Sequence, residues 1–169
     1  MDQAGKYIGD LVYGANDGII TTFAIVSGVA GADLAPSVVI ILGISNVLAD
    51  GFSMASSNYL ARKSEKDYLN NIGKENKESH NPIKNATATF LAFILAGLVP
   101  LLPYMIGIKE NTFNYAIFTT SLILFIIGSL RAKVTGMNWL KAGVEMLFVG
   151  ALASGVAYLI GDVLAKMLI

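Results

Sequence analysis

The chain has 169 residues, of which 54% are hydrophobic and only 14% are charged, and its mean hydropathy is +0.62. A soluble domain of this length needs a more polar surface, so the composition indicates an integral membrane protein. Lysine plus arginine equals aspartate plus glutamate at 12 each, so there is no basic bias toward nucleic acid, and the absence of cysteine excludes disulfides and thiolate metal sites.

Long apolar runs predict five transmembrane helices, because each run is close to the roughly 20 residues that a helix needs to cross the hydrocarbon core. Strands are disfavoured, since the runs do not alternate between apolar and polar residues. The expected fold is therefore all-α, with a single transmembrane domain over residues 1–169. The predicted spans cover about residues 11–31, 37–60, 86–108, 113–130 and 140–160, and a polar cytoplasmic loop covers residues 62–85.

The basic residues predict the orientation of these spans. Lys109 and Lys166 fall on one side of the predicted topology, and the other lysines and arginines fall on the opposite side. Cytoplasmic loops carry the excess of basic residues, so the N-terminus is expected in the cytoplasm and the C-terminus outside or in a lumen. Five spans do not divide into two inverted halves, and a symmetric homodimer can supply the missing partner surface.

The first span carries a carboxylate, Asp17, in the run ANDGIITTFAIVSG. At about 100° per residue, the small and polar residues of this span share one broad face. Small residues allow close helix contact in lipid, and the carboxylate either faces a polar path or caps the helix near the interface. The residues of this face are Gly14, Asp17, Thr21, Ala24, Gly28 and Gly31, with Asn16 beside Asp17.

The second span holds a polar cluster within about a third of its helical wheel. Asp50 lies deep in this span, where a carboxylate needs a partner or a proton. Carboxylate and amide oxygens with a thioether suit a borderline ion such as Fe²⁺ better than Mg²⁺ or Ca²⁺. Taken singly, the amide and hydroxyl residues are explained more simply as hydrogen bonds between helices. The cluster consists of Asn46, Asp50, Ser53, Met54 and Ser57.

The polar connection after the second span contains four candidate metal-collecting acids. Glu65 and Asp67 are expected to continue the second helix, with Lys63 or Lys66 as ion-pair partners of Glu65. The other two acids, Glu75 and Glu78, belong to a loop for which simple solvation is the alternative explanation. In the third span, Pro100 and Pro103 each remove a backbone donor, which predicts a kink near its outer end.

Four stretches of the chain resemble the vacuolar iron transporter family: DGIITTFAIVSG, NVLADGFSMASSNYL, NPIKNATATFLAFILAGLVPLLPY and LFVGALASGVAYLIGDVL. The resemblance implies a homodimer of five-span protomers that exports Fe²⁺, and sometimes Mn²⁺, from the cytoplasm in exchange for protons. It implies that Asp17 and Met54 line the path at the dimer interface, with Asp50 beside them, and that the small first-span face brings two copies together. Better-known members carry a longer cytoplasmic insert with metal-binding glutamates, which this chain lacks.

Two other functions use some of the same residues. A passive divalent-cation channel needs the same polar path. An intramembrane aspartyl protease needs a G-x-G-D motif, but here YLIGD has Leu159 at the first glycine and Asp162 near a span end. We therefore expect a transporter and not an enzyme. It is expected in the cell membrane of a prokaryote, or in a vacuolar or other organelle membrane of a eukaryote.

Overall fold

The computed structural model describes residues 7–73, 81–108 and 110–168, which form helices joined by turns. No strand occurs in these ranges, so the all-α prediction is confirmed for them. The helices are α1 (Ile8–Gly31), α2 (Pro36–Asn71), α3 (Pro82–Gly97), α4 (Leu102–Met105), α5 (Thr112–Thr135) and α6 (Trp139–Leu168).

The third predicted span is broken near its outer end, as its prolines indicate. Helix α3 ends at Gly97, a 3₁₀ turn follows over Val99–Leu101, and the short α4 completes the segment. Pro100 lies in the 3₁₀ turn and Pro103 in α4, where each removes a backbone N–H that a continuous α-helix would use. The predicted kink is therefore confirmed.

Helix α1 is the central element, and it contacts α2, α3, α5 and α6. Its apolar side chains contribute to two groups of buried residues, which together form the core. The first group consists of Phe23, Val26, Val29, Val39, Val47, Leu101, Tyr104 and Ala116. The second consists of Ala15, Ile19, Ala96, Leu124 and Met146.

Glycines bring the backbones of α1 and α3 into direct contact. A Cβ atom on Gly14 would lie 2.5 Å from the carbonyl oxygen of Thr89, and one on Gly18 would collide with the carbonyl oxygen of Phe93. Both pairs are 75 residues apart in the sequence. Because this separation stays constant along the contact, α1 and α3 run parallel.

Glycines also pack α1 against α6. A Cβ on Gly31 would collide with the carbonyl oxygen of Tyr158, and one on Gly161 would collide with that of Gly28. The sequence analysis assigned Gly14, Gly28 and Gly31 to contact between two copies of the chain. In the structure these glycines pack against other helices of the same chain. A Cβ on Gly14 or Gly31 would collide with a carbonyl group of α3 or α6, and the carbonyl oxygen of Gly28 lies against Gly161 of α6.

Successive long helices alternate in direction. A Cβ on Gly51 would meet the side chain of Phe93, and one on Gly43 would meet that of Leu101, so α2 is antiparallel to α3. Helices α5 and α6 are also antiparallel, because Gly128 of α5 meets Ala142 while Gly150 of α6 meets Leu124. This alternation is expected of a chain that crosses a membrane several times with short connections between its helices.

Four helical segments in the described ranges are long and apolar enough to cross a membrane: Pro36–Asn71, Pro82–Met105, Thr112–Lys133 and Trp139–Leu168. Helix α1, which contains the first predicted span, is not among them. It carries Asp10, Asn16 and Asp17, and it is surrounded by other helices that shield much of its surface from lipid.

The contact between α1 and α3 predicts a position-specific loss of stability. We expect Gly18→Ala to lower the free energy of unfolding by about 1–3 kcal/mol, because the new methyl group would force two backbones apart. The measurement is the thermal unfolding midpoint of the purified protein in detergent. Gly155→Ala is the matched control, since a Cβ there has no atom within 4 Å. Equal midpoints for the two variants would contradict this account of the packing.

Candidate functional site

A pocket of about 440 Å³ opens along the polar face of α2. It contains four of the residues that the sequence identified, namely Ser53, Met54, Ser57 and Glu65. These positions share one face because they recur at three- and four-residue intervals along the helix. The complete lining is Tyr13, Ser53, Met54, Ser57, Asn58, Ala61, Arg62 and Glu65.

Two carboxylates, Asp17 of α1 and Asp50 of α2, belong to the same helix pair. They are close enough for their charges to interact, and both side chains are partly exposed. Two like charges in a region of low dielectric repel each other strongly, and a cation placed near both relieves that repulsion. The structure therefore brings the two path acids of the sequence analysis near each other.

The remaining polar residues of the seam between α1 and α2 differ in their hydrogen bonding. Asn16 Oδ1 and Asn46 Nδ2 are buried atoms with no hydrogen-bond partner in the part of the chain that the structure describes. Thr21 Oγ1 instead donates to the backbone oxygen of Asp17 at 2.8 Å. Asn16 thus has an unpartnered amide oxygen and Asn46 an unpartnered amide N–H group, whereas the threonine hydroxyl donates its proton within its own helix.

The polar face of α2 is only partly covered by the other helices of the protomer. Ser53 and Ser57, which line the pocket on this face, are exposed. Polar side chains are costly against lipid, so they face protein or a water-filled cavity in membrane proteins. A polar neighbour on this face would lower that cost.

The cytoplasmic acids proposed from the sequence separate into different environments. Glu65 Oε2 lies 3.7 Å from Arg62 Nη1, so its partner is Arg62 and not the expected Lys63 or Lys66. Residues three apart share a helix face, whereas residues one or two apart do not. Asp67 is exposed on the same extension of α2 and does not line the pocket. The other two acids, Glu75 and Glu78, lie outside the described residues.

The sequence analysis missed a buried carboxylate, Asp10, which is 5% exposed. It accepts hydrogen bonds from Asn85 Nδ2 at 2.5 Å, from Asn58 Nδ2 at 2.7 Å and from Arg62 Nη2 at 3.5 Å. Asn58 Nδ2 also lies 3.0 Å from Thr89 Oγ1. This network ties the start of α1 to α2 and α3 beside the pocket.

One feature of the sequence points to Asp10. It lies seven residues before Asp17, and two helical turns place both carboxylates on nearly the same side of α1. The asparagines that bind Asp10 come from distant parts of the chain, and no local pattern connects them to it.

The acids of the described residues do not form a complete metal site by themselves. Among the described residues, no three side chains of histidine, cysteine, aspartate or glutamate come together. A protomer supplies the pair Asp17 and Asp50, amide groups and the Met54 thioether. First-row divalent ions commonly take more ligands than two carboxylates provide, so an ion held by this pair would need further ligands from water or from another chain.

Comparison with known proteins assigns the chain to a family. The sequence profile of the VIT family matches residues 8–79 and 70–162. The chain is 27% identical to vacuolar iron transporter 1 of Arabidopsis thaliana, over 95% of this chain and 87% of the relative. It is also 27% identical to a vacuolar iron transporter of Toxoplasma gondii, over 96% and 76% of the two chains. These relatives are transporters by name, in agreement with the prediction that this chain is not an enzyme.

The alignment with the Arabidopsis protein extends over 217 positions, although this chain has 169 residues. The relative therefore contains residues that this chain lacks. The two profile matches overlap at residues 70–79, just where α2 ends. A match that divides at this point agrees with a shortened connection between the second and third spans. The profile match over most of the chain, together with the long apolar helices, makes this chain an integral membrane protein of the VIT family.

Proposed function

We propose that this protein transports Fe²⁺ out of the cytoplasm along the seam between α1 and α2. Two observations support the proposal: Asp17 and Asp50 are close enough for their charges to interact, and an open pocket on the polar face of α2 contains Met54, one helical turn from Asp50. The names of the relatives, which are iron transporters, support this choice of cargo.

The donor set of the seam suits a borderline divalent ion. The carboxylates of Asp17 and Asp50 supply hard oxygen atoms, and Met54 supplies a softer sulfur atom. Mn²⁺ shares the oxygen ligands and is the second expected cargo. The thioether favours Fe²⁺ over Mg²⁺ and Ca²⁺, which are abundant competitors with little affinity for sulfur.

We infer that α1 is a fifth membrane span. It runs parallel to α3 with backbone contact at Gly14 and Gly18, so it crosses the bilayer wherever α3 does. The basic residues at the end of α2 favour a cytoplasmic location for that end, which places the N-terminus in the cytoplasm and the C-terminus outside or in a lumen. In this orientation Glu65 and the pocket mouth face the cytoplasm.

We propose further that two copies of the chain pair across the open face of α2. The exposed hydroxyls of Ser53 and Ser57 would otherwise face lipid. A two-fold axis along this face would double the carboxylates and thioethers that reach one ion, and it would complete a coordination shell that one protomer leaves incomplete.

Protons are the proposed counter-ion. A carboxylate must be deprotonated to bind a metal, so protons arriving from the far side weaken metal binding by direct competition for Asp17 and Asp50. This competition would release the metal on the acidic side of the membrane. A passive channel, the alternative, uses the same residues without requiring proton movement.

We expect Asp17→Asn to abolish Fe²⁺ transport while the dimer still assembles, because the amide keeps the shape of the side chain and removes its charge. The measurement is Fe²⁺ flux in proteoliposomes with and without an imposed pH gradient, with Asp67→Asn, on the exposed extension of α2, as the charge-matched control. Normal flux by Asp17→Asn would refute the assignment, and wild-type flux that ignores the pH gradient would favour the channel.

The role of the thioether is tested by Met54→Leu, which keeps volume and removes sulfur. We expect a loss of Fe²⁺ flux of roughly tenfold with a smaller loss of Mn²⁺ flux, because sulfur contributes more to the softer ion. Met146→Leu is the matched control, since Met146 is buried in the core at 4% exposure. Equal effects of the two substitutions would remove Met54 from the path.

The proposed dimer is tested by cysteine cross-linking, for which the cysteine-free chain is well suited. We expect Ser57→Cys to form a disulfide-linked dimer under mild oxidation in membranes, because this residue lies on the face proposed to contact its own copy. Val156→Cys on α6 is the control, since that residue is 57% exposed on a different helix. Cross-linking at position 156 without cross-linking at position 57 would place the interface elsewhere.

A further inference from the structure

Arg62 lies between two carboxylates at one end of the pocket. Its Nη2 atom is 3.5 Å from Asp10 Oδ1, and its Nη1 atom is 3.7 Å from Glu65 Oε2. One positive charge thus faces two negative charges, and the group as a whole keeps a net negative charge. Neither distance is that of a short, charge-assisted hydrogen bond, for which about 2.7–2.9 Å is usual.

The exposure of these side chains increases from Asp10 outward. The side chain of Asp10 is 6% exposed, that of Arg62 is 34% exposed and that of Glu65 is 58% exposed. The guanidinium group therefore covers a buried acid on the side that faces the pocket. An arginine held at long distances and partly exposed to solvent can leave its position when another cation takes its place beside Asp10.

Two amides beside Asp10 have buried oxygen atoms that are not used in hydrogen bonds. Asn58 and Asn85 both donate to Asp10 through Nδ2, while their Oδ1 atoms have no hydrogen-bond partner among the described residues. The side chain of Asn85 is fully buried. Rotation of either amide by a half-turn would present its oxygen to the carboxylate region, where only a cation makes such an arrangement favourable.

We propose that Asp10, Asn58 and Glu65 form an entry site for a divalent cation, and that Arg62 is a tethered cation that the incoming ion displaces. The direction of entry rests on the proposed function, whereas binding at this site is measured without transport. The competition keeps the affinity moderate, because conduction requires binding strong enough to admit an ion and weak enough to release it. Neutralising the arginine removes the competitor and leaves the ligands in place.

The test is Mn²⁺ binding to purified protein in detergent, measured through the electron paramagnetic resonance signal of the free ion. We expect Arg62→Gln to bind Mn²⁺ roughly tenfold more tightly than the wild type, because a competing unit charge is removed from the site. Lys63→Gln removes the same charge from an exposed neighbour and is the matched control. The gain should vanish in the double variant Arg62→Gln/Asp10→Asn.

Thermal unfolding provides a second readout. Without metal, Arg62→Gln should unfold at a lower temperature than the wild type, because Asp10 loses its cationic partner. Added Mn²⁺ should raise the unfolding temperature of Arg62→Gln more than that of the wild type, since the metal replaces the lost charge. If Arg62 had only a structural role, Arg62→Gln would lower the unfolding temperature and added Mn²⁺ would not restore it.

A folded Arg62→Gln that binds Mn²⁺ no more tightly than Lys63→Gln would overturn the proposal, as would a gain that persists without Asp10. If Arg62→Gln does not fold, Glu65→Gln is compared with Asp67→Asn, both on the exposed extension of α2. A weaker affinity for Glu65→Gln alone supports the site, and equal affinities refute it.

Repeating the binding measurement in the Asp17→Asn background separates this proposal from the proposed function. The entry site uses none of the deeper ligands, so the gain from Arg62→Gln should remain. A gain that disappears with Asp17 would assign the tighter binding to the deeper carboxylates and refute the entry site. Flux that survives Asp17→Asn would refute the transport assignment alone.

Discussion

Direct backbone contact between α1 and its neighbours α3 and α6 is the constraint on which the rest of this structure depends. In lipid, helices gain little from burying apolar surface against one another, so association relies on close packing of small residues. Gly14 and Gly18 allow this approach on one side of α1, and Gly31 allows it on another. Held in this way, α1 can carry carboxylates that a helix surrounded by lipid could not carry, and it presents them to α2.

The polar groups supplied by α1 and α2 form a series along the two helices. Glu65 and Arg62 lie at one end of the pocket, with Asp10 buried beside them. Met54 lies further along the pocket, and Asp17 interacts with Asp50 in the same helix pair. In the proposed function, each place supplies a few ligands and none a full coordination shell. An ion passed between such incomplete shells would be held only moderately, and transport requires binding weak enough for release.

The features that depend on local pattern were predictable, and those that depend on which helices meet were not. Helix type, the polar face of α2 and the break at Pro100 and Pro103 follow from periodicity and from the missing proline donors. Periodicity also reveals a small face on α1, but it does not say that α3 and α6 occupy that face. The Asp10 network joins residues 48 and 75 positions apart, and its existence depends on the tertiary fold alone.

The length of α2 has a consequence for how such proteins can diversify. Its 36 residues extend about 54 Å at 1.5 Å per residue, whereas the hydrocarbon core is about 30 Å thick. The helix is therefore longer than the membrane requires, and its surplus ends at Asn71. Extra polypeptide grafted at the tip would leave every glycine contact of the embedded bundle undisturbed. Evolution can thus add or remove a whole inserted domain at this end of α2, and an engineer can attach a reporter or a metal-chelating module at the same point.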